Sequence, residues 1–148
     1  MVPLNLPYYP FKLKEQQQKT YIFDEIRKKY LLLTPEEWVR QHIIQYLITY
    51  KFYPRGLISI ESSLILNTMT RRSDILIVDR TGCPLLLVEC KAPHIKISQA
   101  TLDQAARYNT AYSAPLLVVT NGLDVITCQM DHEKKSVEIL AEIPPYSN

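Results

Sequence analysis

The feature that most narrows the fold is an apolar run that ends in charge. Residues 84–91 read Pro84-Leu85-Leu86-Leu87-Val88-Glu89-Cys90-Lys91. A short Leu/Val run closed by Pro93 is a strand held inside a sheet. Such a strand is expected to stay apolar to its end, yet this one finishes on a carboxylate and an ammonium two residues apart. Alternate strand residues share a face, so Glu89 and Lys91 project together while Cys90 projects oppositely, into the core. Just upstream, residues 73–79 form a second strand, Ser73-Asp74-Ile75-Leu76-Ile77-Val78-Asp79, followed by the turn Arg80-Thr81-Gly82. A connection this short makes the two strands antiparallel. Asp74, at the start of one strand, is therefore expected beside Glu89 and Lys91 at the end of the other.

The remaining elements follow from capping and periodicity. Residues 34–51 give the clearest helix: Thr34 suits the N-cap, Pro35 the first helical position, and Glu37 completes a Thr-x-x-Glu capping box. Val39, Ile43, Tyr46, Leu47 and Tyr50 recur at helical spacing. Residues 57–66 read as a strand, 98–112 as a helix, and 115–120 as a buried strand ended by Asn121-Gly122. Residues 123–130 and 136–140 make a terminal hairpin. Residues 20–33 fit a short hairpin, with a helical turn as the alternative. The proline-rich segment 1–19 reads as an extended arm packed on the rest. The expectation is one α/β domain over residues 1–148, with a core over 20–143 and a mixed central sheet flanked by helices.

Composition excludes several function classes. The only glycines are Gly56, Gly82 and Gly122, so no glycine-rich loop can cradle nucleotide phosphates, and a P-loop motor is ruled out within this chain. Cys83, Cys90 and Cys128 form no C-x-x-C pair, which argues against a zinc site or a disulfide framework and for a reducing cytoplasm. No apolar run is long enough to span a bilayer, and prolines interrupt the N-terminal segment where a signal peptide needs apolar continuity. Residues 1–72 hold 11 Lys/Arg against 6 Asp/Glu, and residues 73–148 hold 6 against 9. That asymmetry fits either chance variation on a solvated surface or a mildly basic face offered to phosphates.

The chemistry rests on Asp74, Glu89 and Lys91. Two adjacent carboxylates resist joint ionisation unless a cation joins them. Hard oxygen ligands select Mg²⁺, for which Mn²⁺ can substitute, and Mg²⁺ keeps several of its waters. Such an ion activates water and stabilises charge on a phosphate. Lys91 is placed to orient the attacking water or to stabilise the charge that develops. Strand geometry offers the Cys90 backbone carbonyl as a further metal ligand. The bland alternative is a pair of surface ion pairs, Glu89 with Lys91 and Asp74 with Arg72. The context of a strand end, a neighbouring Asp-bearing strand and a following helix favours the metal site.

The ordered set of Glu37 on an early helix, Arg72-Ser73-Asp74-Ile75, and Glu89-Cys90-Lys91-Ala92-Pro93 resembles the PD-(D/E)XK nuclease superfamily. Thr34 to Gln41, Arg71-Arg72-Ser73-Asp74-Ile75, and Thr120-Asn121-Gly122-Leu123 look like the N-terminal nuclease domain of type I restriction enzyme R subunits. The similarity runs from about residue 20 to residue 143. One departure is Ser73, where the superfamily's motif carries proline.

The resemblance implies a restriction-endonuclease-like core and Mg²⁺-dependent hydrolysis of DNA in restriction-modification. A type I R subunit also needs translocase motors, which this chain does not carry, so the chain is expected to act alone or with separate translocase or specificity subunits. It adds Gln104 and Tyr108 as site residues, one helical turn apart on a shared face; without it, both read as ordinary packing. It implies a metal contact from Glu37, a residue the capping box explains equally well, and Glu61 is the rival acid. Arg71 and Arg72 are candidate phosphate contacts. Arg40 and Gln41 either reach DNA or solvate the helix. The competing function is a non-catalytic nucleic-acid- or protein-binding module that retains the nuclease fold.

Overall fold

The computed structural model describes residues 1–60, 63–66, 69–72 and 74–147; for residues 63–66 and 69–72 only the backbone is described. Its centre is a six-stranded mixed sheet in the order β11-β10-β9-β8-β7-β4. These strands are β4 (Ile58–Ile60), β7 (Ile75–Val78), β8 (Pro84–Cys90), β9 (Leu116–Thr120), β10 (Val125–Asp131) and β11 (Ser136–Leu140). Only β8 and β9 pair in parallel; every other pair is antiparallel. The β8–β9 crossover carries α2 (Gln99–Asn109), as a parallel connection requires.

The two faces of the sheet bury different sets. On one, Val39, Ile43, Ile44 and Leu47 of α1 (Pro35–Lys51) pack on Ile75, Ile77, Leu86, Val88 and Cys90. On the other, Ala105 of α2 packs with Leu87, Leu117, Val119 and Cys128. Leu86, Leu87 and Val88 thus alternate between two cores, which is why their run reads as continuously apolar. Among the described residues, no helix is long and apolar enough to cross a membrane.

Two helix starts follow their sequence signals, with one difference. The Thr34 hydroxyl accepts from the Glu37 amide at 3.0 Å, but the Glu37 carboxylate does not reach back to complete the box. It is taken by buried cationic and amide donors instead. At α2 the reciprocal box forms between Ser98 and Thr101.

The N-terminal region departs from a plain extended arm. Residues 13–16 form β1 (Leu13–Gln16), which pairs with β2 (Lys19–Asp24), and β2 pairs with β3 (Lys29–Leu32) in a separate three-stranded sheet. The expected hairpin over 20–33 is β2–β3. The β1–β2 turn holds Gln17 and Gln18 at φ 52° and 64°, the two left-handed residues of a tight hairpin turn. The first residues do pack on the body. Val2 accepts from the Trp38 indole at 2.9 Å, and the Asn5 amide donates to the Gly122 carbonyl at 2.8 Å.

A second difference lies between β4 and β7. The single strand expected over 57–66 is two strands of different sheets: β4 pairs with β7, whereas β5 (Ser63–Leu66) pairs with β6 (Met69–Arg72). The polar step Glu61-Ser62-Ser63 breaks the apolar alternation at that point. Ser73 and Glu61 lie outside the described residues, as do the side chains of Arg71 and Arg72.

Candidate active site

The register of β7 against β8 places Ile75 opposite Val88, so Asp74 lies opposite Glu89 at the end of the pair. Asp74 is held by two neighbours. Its Oδ2 accepts from the Cys90 backbone amide at 2.6 Å, and its Oδ1 accepts from Arg40 Nη2 at 2.9 Å. The short amide bond fixes the carboxylate at the strand end, where β8 leaves the β7 ladder. Across the sheet, the Lys91 amide donates to the Thr120 carbonyl at 2.8 Å, extending the pairing with β9 by one step.

Glu89 and Lys91 emerge on the α2 face, on the same side as Leu87. Lys91 Nζ stands 3.3 Å from Glu89 Oε1, and both side chains are partly exposed, at 30% and 24%. Burial raises the Glu89 carboxyl above the ordinary glutamate value, and the neighbouring Asp74 charge raises it further; Lys91 opposes both. Cys90 points the other way, fully buried in the α1 core, and burial pushes its thiol well up.

From α2, Tyr108 faces the same region. Its phenol is raised by burial, by the Tyr112 hydroxyl at 3.5 Å, and by the charges of Glu89 and Asp74. It stays protonated and able to donate. Gln104, one turn earlier, is exposed.

The α1 side reshapes the sequence reading. Arg40 is buried, with 3% exposure. Its Nη1 donates to Glu37 at 2.7 Å, and its Nη2 contacts both Glu36 (3.1 Å) and Asp74 (2.9 Å). Burial alone would lower its pKa; the Glu37 charge, then Asp74, overcome this and raise it. Arg40 is thus an internal clamp in this structure rather than a surface phosphate contact, because its buried guanidinium is already held by Glu36, Glu37 and Asp74. Gln41 is likewise buried, donating to Glu37 at 2.8 Å and to Asp24 at 3.0 Å. Glu37 also accepts from Arg27 at 3.3 Å.

Of the two acids in the first turn of α1, Glu36 is the one that shares a guanidinium nitrogen with Asp74 and adds to the rise at Glu89. Its side chain is 47% exposed. The family resemblance points to Glu37, which the capping box explains equally well, with Glu61 as the rival. The i,i+4 spacing to Arg40 was the available signal for Glu36.

Among the described residues no group of three or more His, Cys, Asp or Glu side chains is gathered as a metal cage. Asp74 and Glu89 offer two carboxylates at neighbouring strand ends, and Mg²⁺ is an ion that binds through one or two carboxylates and keeps much of its water.

The Thr120-Asn121-Gly122-Leu123 segment supports the site without entering it. Asn121 donates to the Ile95 carbonyl at 2.8 Å, tying down the loop that follows Lys91. Its Oδ1 accepts from the amides of Leu123 and Asp124.

A family model for the N terminus of the type I restriction enzyme R protein matches residues 35–144. The chain belongs to this family. The match spans α1, Asp74, the end of β8 and α2, so every element of the site lies inside it. A solved fragment assigned as an HsdR subunit of a type I restriction enzyme from Vibrio vulnificus YJ016 shares the fold, with a TM-score of 0.55 at 16% identity. The alignment covers 76% of this chain and 24% of that one, so the R-protein domain described here spans about a quarter of its solved relative. Comparison with curated proteins gives no match. The mixed sheet with helices on both faces is a restriction-endonuclease-like core, as the sequence resemblance implied.

Proposed function

We propose that this R-protein N-terminal domain is a metal-dependent nuclease that hydrolyses DNA phosphodiester bonds. The observation that carries the reading is the convergence of Asp74 and Glu89 at adjacent strand ends, with Lys91 3.3 Å from Glu89. Asp74 and Glu89 would hold Mg²⁺ or Mn²⁺, with the Cys90 carbonyl as a third oxygen and Glu36, rather than Glu37, as the accessory acid. When bound, such an ion lowers the pKa of its water and neutralises phosphate oxygens.

The chain's own groups supply the rest. Glu89 holds the Lys91 ammonium near the reacting phosphate, where it orients a water and stabilises developing negative charge. Arg40 fixes the Asp74 carboxylate, so the pair is preorganised before substrate arrives. Tyr108, kept protonated, donates to a phosphate oxygen, and Gln104 sits one turn away to position the strand. Arg71 and Arg72, just before Asp74, contact flanking phosphates. Translocation and sequence recognition fall to other subunits or segments, since this sequence holds no P-loop.

The test is cleavage of supercoiled plasmid and of labelled single-stranded DNA with Mg²⁺ or Mn²⁺. Cutting that disappears in a folded Lys91→Ala variant supports the reading. Salt-sensitive DNA binding by folded protein that cuts with no divalent metal would replace it with a non-catalytic binding module.

A further inference from the structure

Residues of the three-stranded sheet alternate between two faces, and the centre of one is buried against the body. Ile22 and Asp24 are fully buried on the inner face, where Asp24 accepts from Arg27 and Gln41. Register and alternation assign the outer face. Lys14 pairs with Tyr21 and Gln16 with Lys19; Tyr21 pairs with Leu32 and Phe23 with Tyr30. Lys12 joins the same face, its ammonium lying 5.6 Å from the Phe23 ring centre. Lys14 lies 4.2 Å from the Tyr30 ring centre. Phe23 and Tyr30 meet edge-on at 5.1 Å.

The strands contribute only two acids, Glu15 and Asp24, and pairing sends both to the opposite face. What remains outward is Lys12, Lys14, Gln16 and Lys19 with Tyr21, Phe23, Tyr30 and Leu32. Partly exposed aromatic rings within reach of lysines, with the acids of these strands on the other face, suit a ligand that is both flat and polyanionic.

We propose that this outer face binds a single strand of DNA, stacking unpaired bases on the rings and setting phosphates against the lysines. A duplex hides its base faces, so only an unpaired strand can use the aromatics. Tyr21 and Phe23 lie two residues apart on β2, roughly 7 Å, which suits neighbouring bases rather than one. The ammonium groups now over Phe23 and Tyr30 are exposed. A stacked base outcompetes an exposed ammonium for a ring face, and the displaced lysine finds the adjoining phosphate.

The sheet is also coupled to the candidate active site. Asp24 binds Arg27, Arg27 reaches Glu37, and Glu37 binds Arg40, which clamps Asp74. A strand lying on the outer face is thereby held at a fixed position relative to Asp74. The choice of DNA as the strand rests on the nuclease reading; the surface itself stands on its own geometry.

The experiment is fluorescence anisotropy of a labelled oligo(dT) of about fifteen nucleotides in EDTA, where binding is read without cleavage. The whole chain is compared with Lys12→Glu/Lys14→Glu, with Tyr21→Ala/Tyr30→Ala, and with Lys134→Glu/Lys135→Glu on the β10–β11 turn, each checked for folding by circular dichroism. The first variant is expected to lose affinity at least tenfold and to flatten the salt dependence by about 1.4, since each neutralised phosphate contributes about 0.7 for a single strand. The second is expected to lose at least about thirtyfold with its salt slope unchanged, and a matched duplex to bind more weakly than oligo(dT). Equal losses from the Lys134/Lys135 control, or no effect of the tyrosines, would reduce the face to generic charge and overturn the proposal. Binding is read in EDTA and cleavage is read with Mg²⁺, so a dead nuclease site and an idle sheet face give different results.

Discussion

Arg40 Nη2 donates to Asp74 Oδ1 at 2.9 Å from a position that is itself buried, so a strand-end carboxylate is fastened to the core by a guanidinium rather than left in solvent. The same side chain holds Glu37 at 2.7 Å through its other terminal nitrogen. Two carboxylates from different elements therefore share one cation. Arg40→Ala leaves Glu37 and Asp74 without it, and breaking a buried pair from one side costs about 3–5 kcal/mol. Arg40→Lys is expected to recover only part of this, because an ammonium cannot reproduce the planar fork. Urea unfolding of the three proteins at neutral pH measures both differences.

Glu89 predicts a pH dependence with a definite sign. Burial and the Asp74 charge raise its folded pKa above the ordinary 4.5. The folded state therefore favours the neutral acid. The stability this contributes is fully present below pH 4.5 and is lost as pH rises through the folded value. Glu89→Gln keeps the neutral form at every pH. It is expected to be more stable than the native chain at pH 7, with the gap closing in acid. A pH series of thermal unfolding curves tests this, and a gap that widens toward low pH would contradict the assigned cause.

Much of the site was legible because it is local. Asp74, Glu89 and Lys91 lie on two strands joined by a tight turn, and period-2 alternation alone assigns their faces. The β1 strand was not legible, because its turn is Gln17-Gln18 and no Asn-Gly or Asp-Gly marks it. The role of Arg40 was hidden for a different reason. A helix arginine beside Glu36 and Glu37 reads as a solvated flank, and only the sheet that packs on α1 turns it inward. Glu37 shows the same limit, since its spacing from Thr34 fits a cap while its carboxylate is bound by Arg27, Arg40 and Gln41 from three directions.

Gly122 sits at φ +85°, and a Cβ there would come within 2.7 Å of Leu4 Cδ2. The leucine tip can move aside, but the left-handed backbone cannot be relieved that way. Gly122→Ala is expected to cost about 1–2 kcal/mol and to loosen the N-terminal segment, whose Asn5 amide is bonded to the Gly122 carbonyl. Limited proteolysis should then cut within the first residues sooner than in the native chain. Leu4→Ala in the Gly122→Ala background should leave most of the stability loss in place, since strain rather than crowding is its cause.

The two acids in the first turn of α1 should separate by readout. Glu37 is buried and accepts from three side chains, so Glu37→Gln removes a charge that Arg27 and Arg40 both require. Its expected effect is a loss of stability of about 2–4 kcal/mol, with any fall in cleavage following from unfolding. Glu36 is half-exposed, and its exposed pair with Arg40 stabilises little. It nevertheless stands at the mouth of the Asp74–Glu89 pair and raises Glu89 through its charge. Glu36→Gln is therefore expected to leave urea unfolding nearly unchanged while weakening the Mg²⁺ affinity of DNA cleavage, seen as a higher metal concentration for half-maximal rate. If Glu37→Gln shifted the metal requirement in a stable protein and Glu36→Gln did not, the accessory acid would be Glu37, and Arg40 would have to release it when metal binds.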